Sequence, residues 1–224
     1  MKSINPDIFT FYKDLDKNNN REWFESHKPR FKALESEVKD FNEIVKFGLE
    51  ETDDIEKIKM FRIYRDVRFS KNKTPYKTHF GLSFHREKPD FRGGYYVHFK
   101  PNDNFIAVGF WNPNKEDLLR IRKELELDSS EFRELMEVPK FKNIWGLLEG
   151  EELKTAPKGF SKEVTASIQK NMGTYLRTSY KAFDDPTNFK IDNSDLFEKL
   201  MISYKSNDYN YKIVGVSGYI NYKE

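Results

Sequence analysis

Between Lys57 and His79 the chain carries eight basic residues and one acid, Asp66, a net +7 in 23 residues against +2 for the whole chain. The segment runs Arg62-Ile63-Tyr64-Arg65-Asp66-Val67-Arg68-Phe69 and continues Ser70-Lys71-Asn72-Lys73-Thr74-Pro75-Tyr76-Lys77-Thr78-His79. One sign of charge concentrated in an otherwise acidic body focuses field lines on that spot. Arginine supplies paired donors, lysine a point charge and small hydroxyls further donors, which is the chemistry that wraps a phosphate or carboxylate. Arg62, Arg68, Ser70, Lys71, Lys73 and Lys77 are the candidate anion-binding residues. Asp66 would orient an arginine, and Tyr76 and His79 are the candidate proton-transfer groups.

Three readings of this strip compete. It binds a small phosphate- or carboxylate-bearing molecule and acts on it if the proton-transfer groups are used. It binds nucleic acid along the same basic residues. Or it serves as an internal salt-bridge hub with no ligand, its outer lysines only guarding a strand edge. Salt separates them, because polyanion binding falls steeply with ionic strength and a single-phosphate pocket responds less.

The positioning elements follow from periodicity. From Phe61 to Phe69 the odd positions are Phe61, Ile63, Arg65, Val67 and Phe69, so period-two alternation predicts a strand with one largely apolar face. Arg65 falls on that face, and a buried guanidinium needs a partner. Arg65 is thus expected to be buried against an acid distant in sequence, since Asp66 points to the other face. Arg62 and Arg68 would lie about 20 Å apart along a straight strand, too far to clasp one phosphate. The end nearer the loop, with Arg68, Lys71, Lys73 and Lys77, is the favoured one.

Strands are also predicted at Phe80-Leu82-Phe84, at Tyr95-Val97-Phe99 and at Phe105–Trp111, the last apolar on both faces as an inner strand would be. Upstream, Asn5-Pro6 opens a helix through Ile8, Phe11 and Leu15. Asn20 then caps a stripe of Phe24, Phe31, Leu34, Val38, Phe41, Val45 and Leu49. Pro29 is expected to split that stripe into a short helix near 20–27 and a long one from about 30 to 50. Downstream, helices are predicted around Leu118–Leu125, Phe132–Met136, Lys158–Met172 and Leu196–Tyr204, with Tyr175–Phe183 extended. The tail from Tyr209 to Tyr222 can be read either way. The sum is one α+β domain over residues 1–224. Its antiparallel sheet, about residues 61–111 plus possible later strands, packs with N-terminal and C-terminal helices.

Composition narrows the class further. The chain has no cysteine, which removes disulfides, thiolate metal sites and cysteine nucleophiles together. Hydrophobic residues make up 37% and charged residues 34%, but aromatics reach 16% and can fill a core with few side chains. The opening MKSINPD has no apolar segment behind it, and no stretch approaches the ~20 apolar residues of a spanning helix. A cytoplasmic location without a membrane partner is the expectation. His27, His79, His85 and His98 share no ligand spacing of a known metal motif, so neither a metal nor another cofactor is expected. Oligomeric state is open.

The run from Arg62 to Lys77 resembles the signature of a bacterial family called domain of unknown function 2461. Asn18-Asn19-Asn20-Arg21-Glu22-Trp23-Phe24 with His27-Lys28, Gly94-Tyr95-Tyr96-Val97-His98 and Leu153–Phe160 are similar to further family segments. Most of the chain is covered by the resemblance. The family has no assigned activity, so the resemblance implies no catalytic residues. After Phe160 it leads to an expected His-Pro pair, where Val164-Thr165 stand instead.

Overall fold

A computed structural model of the chain describes residues 4–50, 53–88, 91, 93–110, 114–139, 159–160 and 174–179. Two helices, α1 (Asp7–Lys17) and α2 (Arg21–Glu50), precede strands β1 (Ile55–Met60), β2 (Phe80–Arg86), β3 (Gly94–Phe99) and β4 (Phe105–Phe110). Helices α3 (Lys115–Leu127) and α4 (Ser130–Glu137) lead on to β5 (Thr174–Ser179). The strands form one antiparallel sheet in the order β1-β2-β3-β4-β5. The fold is α+β, and the later strand adds to the β4 edge, overlapping the stretch Tyr175–Phe183 read as extended. The helices expected at 196–204 and over most of 158–172, the tail 209–222 and Val164-Thr165 lie outside the described residues.

Side-chain caps start the helices where the sequence signals them. Asn5 Oδ1 accepts the Asp7 N–H at 2.9 Å, and Asn20 Oδ1 accepts the Trp23 N–H at 2.9 Å. Asn114 does the same for Asp117 at 2.7 Å, opening α3. Asp128 Oδ1 accepts the Ser130 N–H at 2.8 Å at the start of α4. Contrary to expectation, Pro29 does not divide α2, which is continuous from Arg21 to Glu50. Proline removes one intrahelical donor, but Phe24 and Phe31 on either side of it are both buried in the same core. Their rings are 5.5 Å apart, and Phe31 stacks on Phe80 of β2 at 5.7 Å. Arg30 further ties the turn after Pro29 to α1 by pairing with Asp7 and with Asp14. Packing on both sides of the proline outweighs the lost hydrogen bond.

The sheet turns one face to α1 and α2. Phe80, Leu82 and Phe84 of β2, Tyr95, Val97 and Phe99 of β3, and Ile106 and Val108 of β4 join the helical stripe in one core. Gly81, Ser83, His85, Tyr96, His98 and Phe105 therefore occupy the other face. The strand expected over Phe61–Phe69 is not one. The first strand lies earlier, at Ile55–Met60, whose sequence IEKIKM has too few apolar residues to announce it, and a bulge between Ile55 and Lys57 blurs its alternation.

Where helix α2 hands over to the sheet, two charges are sealed inside. Arg86 at the end of β2 and Asp53 before β1 have fully buried side chains, with Nε and Oδ2 2.5 Å apart. The Tyr95 hydroxyl donates to the same Asp53 oxygen at 2.5 Å, and the guanidinium lies 4.3 Å from the centre of the Phe91 ring. Removing one member of such a pair strands the other charge in a medium that cannot solvate it. Asp53→Ala is expected to cost about 3–5 kcal/mol in denaturant unfolding, and Asp53→Leu combined with Arg86→Met to recover most of that loss. A single-variant loss below about 1 kcal/mol would contradict the burial.

Candidate functional site

The basic segment is an irregular extension of the β1–β2 hairpin. Beyond the regular ladder, Phe61 N–H donates to Gly81 O at 2.9 Å, Lys77 N–H to Ile63 O at 2.7 Å and Arg65 N–H to Pro75 O at 2.9 Å. Tyr64 and Tyr76 face each other across this bridge. The flanking bonds leave the N–H and C=O of Tyr76 pointing away from Tyr64, toward the α1–α2 turn. There Asn19 closes them both: its Oδ1 accepts the Tyr76 N–H at 3.1 Å and its Nδ2 donates to Tyr76 O at 3.0 Å. The Tyr76 ring is buried and stacks on Phe24 with centroids 4.1 Å apart. The expected alternation of exposure survives only in part: Ile63 is buried, Tyr64 exposed, Arg65 half-buried and Asp66 exposed, but Phe69, expected on the apolar face, is exposed.

This scaffold sorts the cations into two groups. Those at the far end are occupied locally. Arg65 is half-buried and pairs with no acid among the described residues, which corrects the expected buried ion pair. Its Nη1 donates to Thr74 O at 3.1 Å and to the Thr74 hydroxyl, and its Nη2 reaches Ser70 Oγ at 3.5 Å. Neutral oxygens suffice because part of the guanidinium still meets water. Thr74 is fixed in turn by Asn72, whose Oδ1 accepts its N–H and hydroxyl at 2.9 and 2.8 Å. Asp66 holds Arg68 through Nε at 2.9 Å and Nη2 at 2.6 Å, on the surface. That contact holds the Asp66 carboxyl below the usual carboxylate range. Lys73 Nζ donates to the Val67 carbonyl at 2.9 Å. Lys71 is exposed.

The second group lies at the sheet end and includes residues the sequence reading passed over. Lys59 and Lys77 both sit against the Phe61 ring, with Nζ 4.9 and 5.5 Å from its centre. Burial, followed by the charges of Arg62 and Lys59, pushes the Lys77 ammonium below its ordinary pKa. Among the described residues no carboxylate pairs with Lys59, Arg62 or Lys77. Among the described residues these three cations have no neutralising partner, whereas at the Arg68 end, the one favoured from sequence, Arg68 is paired with Asp66.

Tyr76 and His79, the two candidate proton-transfer groups, belong to different clusters. Tyr76 packs on α2, where burial raises its pKa and keeps it protonated. His79 lies on the other side of the sheet with its ring 4.3 Å from that of His98. Burial, with Lys77 and Lys100 nearby, lowers the His79 pKa to about 4, so it is a neutral acceptor at pH 7. His98 Nδ1 shares a hydrogen bond with the Tyr96 hydroxyl at 3.0 Å, and burial pushes the Tyr96 pKa up to about 12. Gly81 makes room for that hydroxyl, since a Cβ there would stand 2.6 Å from it. Alternation along Tyr95–Phe99 already implied that Tyr96 and His98 share the face opposite the core, and that was the signal available for them. Among the described residues no group of three or more His, Asp or Glu side chains could hold a metal ion. No helix among them is long and apolar enough to cross a membrane.

A family model described as "Conserved hypothetical protein (DUF2461)" matches residues 7–206. No curated protein and no solved structure matches the chain.

Two outcomes follow from the geometry. Asn19→Ala leaves two buried backbone groups unpaired and is expected to cost about 1–3 kcal/mol in urea unfolding, with Asn19→Asp recovering only the Tyr76 N–H contact. Because His79 takes its proton less readily in the folded chain, stability is full above about pH 6.5 and declines as pH falls toward 4. His79→Gln is expected to make that decline shallower by about 1–2 kcal/mol after allowance for partial exposure, read from unfolding curves at pH 7 and pH 4.

Proposed function

Because the chain belongs to the DUF2461 family, whose description assigns no reaction, we propose its function from the site alone: a cytoplasmic protein that binds a small phosphate- or carboxylate-bearing molecule. The observation that carries this reading is the approach of Lys59 and Lys77 to the Phe61 ring, with Arg62 near enough to act on Lys77, and with no paired carboxylate among the described residues. Like charges held together, one of them desolvated, cost free energy that an anion would return on binding. Charge-assisted hydrogen bonds from lysine and arginine supply the affinity. The Phe61 ring offers an apolar wall for the rest of the ligand. His79 and Tyr96 stand beside this cluster as a hydrogen-bond acceptor and a donor at neutral pH, states suited to orienting a bound ligand.

The expected anion is small. A single phosphate or carboxylate can satisfy donors gathered around one ring, whereas Arg68, Lys73 and Arg65 are engaged within the loop. Titration with phosphate, pyrophosphate and mononucleotides, followed by calorimetry and thermal shift, tests the reading. Lys77→Ala and Arg62→Ala are each expected to weaken binding about 10- to 100-fold, and Arg68→Ala by less than about 3-fold. If wild-type protein binds none of these anions at millimolar concentration, or if Arg68→Ala is the most damaging change, the proposal fails.

A further inference from the structure

At the opposite end of the same loop an aromatic ring stands in open solvent. Phe69 is 96% exposed, the most exposed of the large hydrophobic residues described. A single exposed apolar side chain is ordinary on a protein surface. Three features set this one apart. It sits at the tip of a loop that is hydrogen-bonded to itself on both sides: Arg65 to Thr74, Lys73 to the Val67 carbonyl, and Ser70 N–H to Val67 O at 3.4 Å. The tip is therefore ordered before any partner arrives, and docking costs little conformational entropy. Its neighbours are cationic, with the Arg68 guanidinium 5.9 Å from the ring centre and Lys71 and Lys73 two and four residues on. The residues that follow it in the chain, Ser70 to Thr74, are all polar or charged.

We propose that this tip docks single-stranded nucleic acid, with Phe69 stacking on one base and the exposed Lys71 facing a flanking phosphate, while Arg68 and Lys73 stay engaged with Asp66 and the Val67 carbonyl beside the ring. Charge complementarity selects a polyanion, and the flat, unshielded ring selects one that carries exposed π-faces. A duplex hides those faces inside its stack, so the ring distinguishes a single strand from a double one. An anionic membrane is the weaker occupant. Insertion scales with buried apolar area, and one phenylalanine among polar neighbours offers little of it. This surface is separate from the Lys59–Arg62–Lys77 cluster and does not depend on the ligand proposed there.

Fluorescence anisotropy with a labelled 15-nucleotide single strand, as DNA and as RNA, tests the proposal beside the corresponding duplex and vesicles containing phosphatidylserine. Wild type is expected to bind the single strand more tightly than the duplex and to weaken as salt rises. Phe69→Ala is expected to weaken single-strand binding about 10-fold or more, while Phe69→Trp retains it. An exposed position leaves folding unaffected, which the melting temperature of each variant checks. Equal binding of duplex and single strand, or unchanged binding by Phe69→Ala, overturns the proposal. Phe69-dependent binding to the vesicles without binding to the single strand overturns it too and reassigns the tip to a membrane surface. Phosphate titrations of Phe69→Ala should match wild type, so this proposal and the small-anion site stand or fall separately.

Discussion

A side-chain amide standing in for a strand holds the basic loop to the helices. Between β1 and β2 the chain must travel 19 residues, Phe61 to His79, and satisfy its backbone without a regular ladder. It does so by pairing with itself at Ile63–Lys77 and Arg65–Pro75, which turns the N–H and C=O of Tyr76 outward. Asn19 meets both with one amide, in the geometry a neighbouring strand would have used. Tyr76 can then bury its ring on Phe24, and Ile63 can join the core. Which cations the loop engages itself follows from that anchoring, because it fixes which carbonyls and hydroxyls the loop turns inward.

Period-two patterns were legible in the sequence, and their physical meaning was only partly so. The odd positions from Ile63 to Val67 do turn inward, yet no continuous ladder forms, because a pattern of burial demands a packed face and not a regular partner strand. A charge on the apolar face is indeed paired, but it lies one strand later than Arg65. Continuing Phe80, Leu82, Phe84 by a single step reaches Arg86, which is the arginine the sheet buries. Asp53 could not have been named as its partner, since the turn joining α2 to β1 decides which acid arrives there. Pro29 misled for a related reason: local propensity reports the cost of a broken hydrogen bond and says nothing of the two phenylalanines that keep the helix in line.

The basic strip was visible as a concentration of charge, and its division was not. Asp66, Thr74 and the Val67 carbonyl each engage one cation, and those pairings depend on the turn at Ser70–Pro75. Sequence distance placed Arg68 with Lys77, while the folded loop sets Lys77 beside Arg62 and Lys59. Likewise Tyr76 and His79 are three residues apart and belong to different surroundings, one packed on α2 and the other on the second face of the sheet.

The sealed Arg86–Asp53 contact also governs how the molecule presents its boundary to other chains. Among the described residues strand β1 lies at the outside of the sheet, with no strand beside one row of its backbone groups. A loose terminal strand can peel back and offer that row, together with the row on β2, to a neighbouring molecule. Peeling from the Ile55 end would have to open the Glu87–Asp54 backbone bond and bring two interior charges apart. Lys57 and Lys59 add cationic side chains along the same border. The ion pair thus works as a lock against fraying, and strand addition by a second copy is opposed at the point where the sheet would otherwise be easiest to extend.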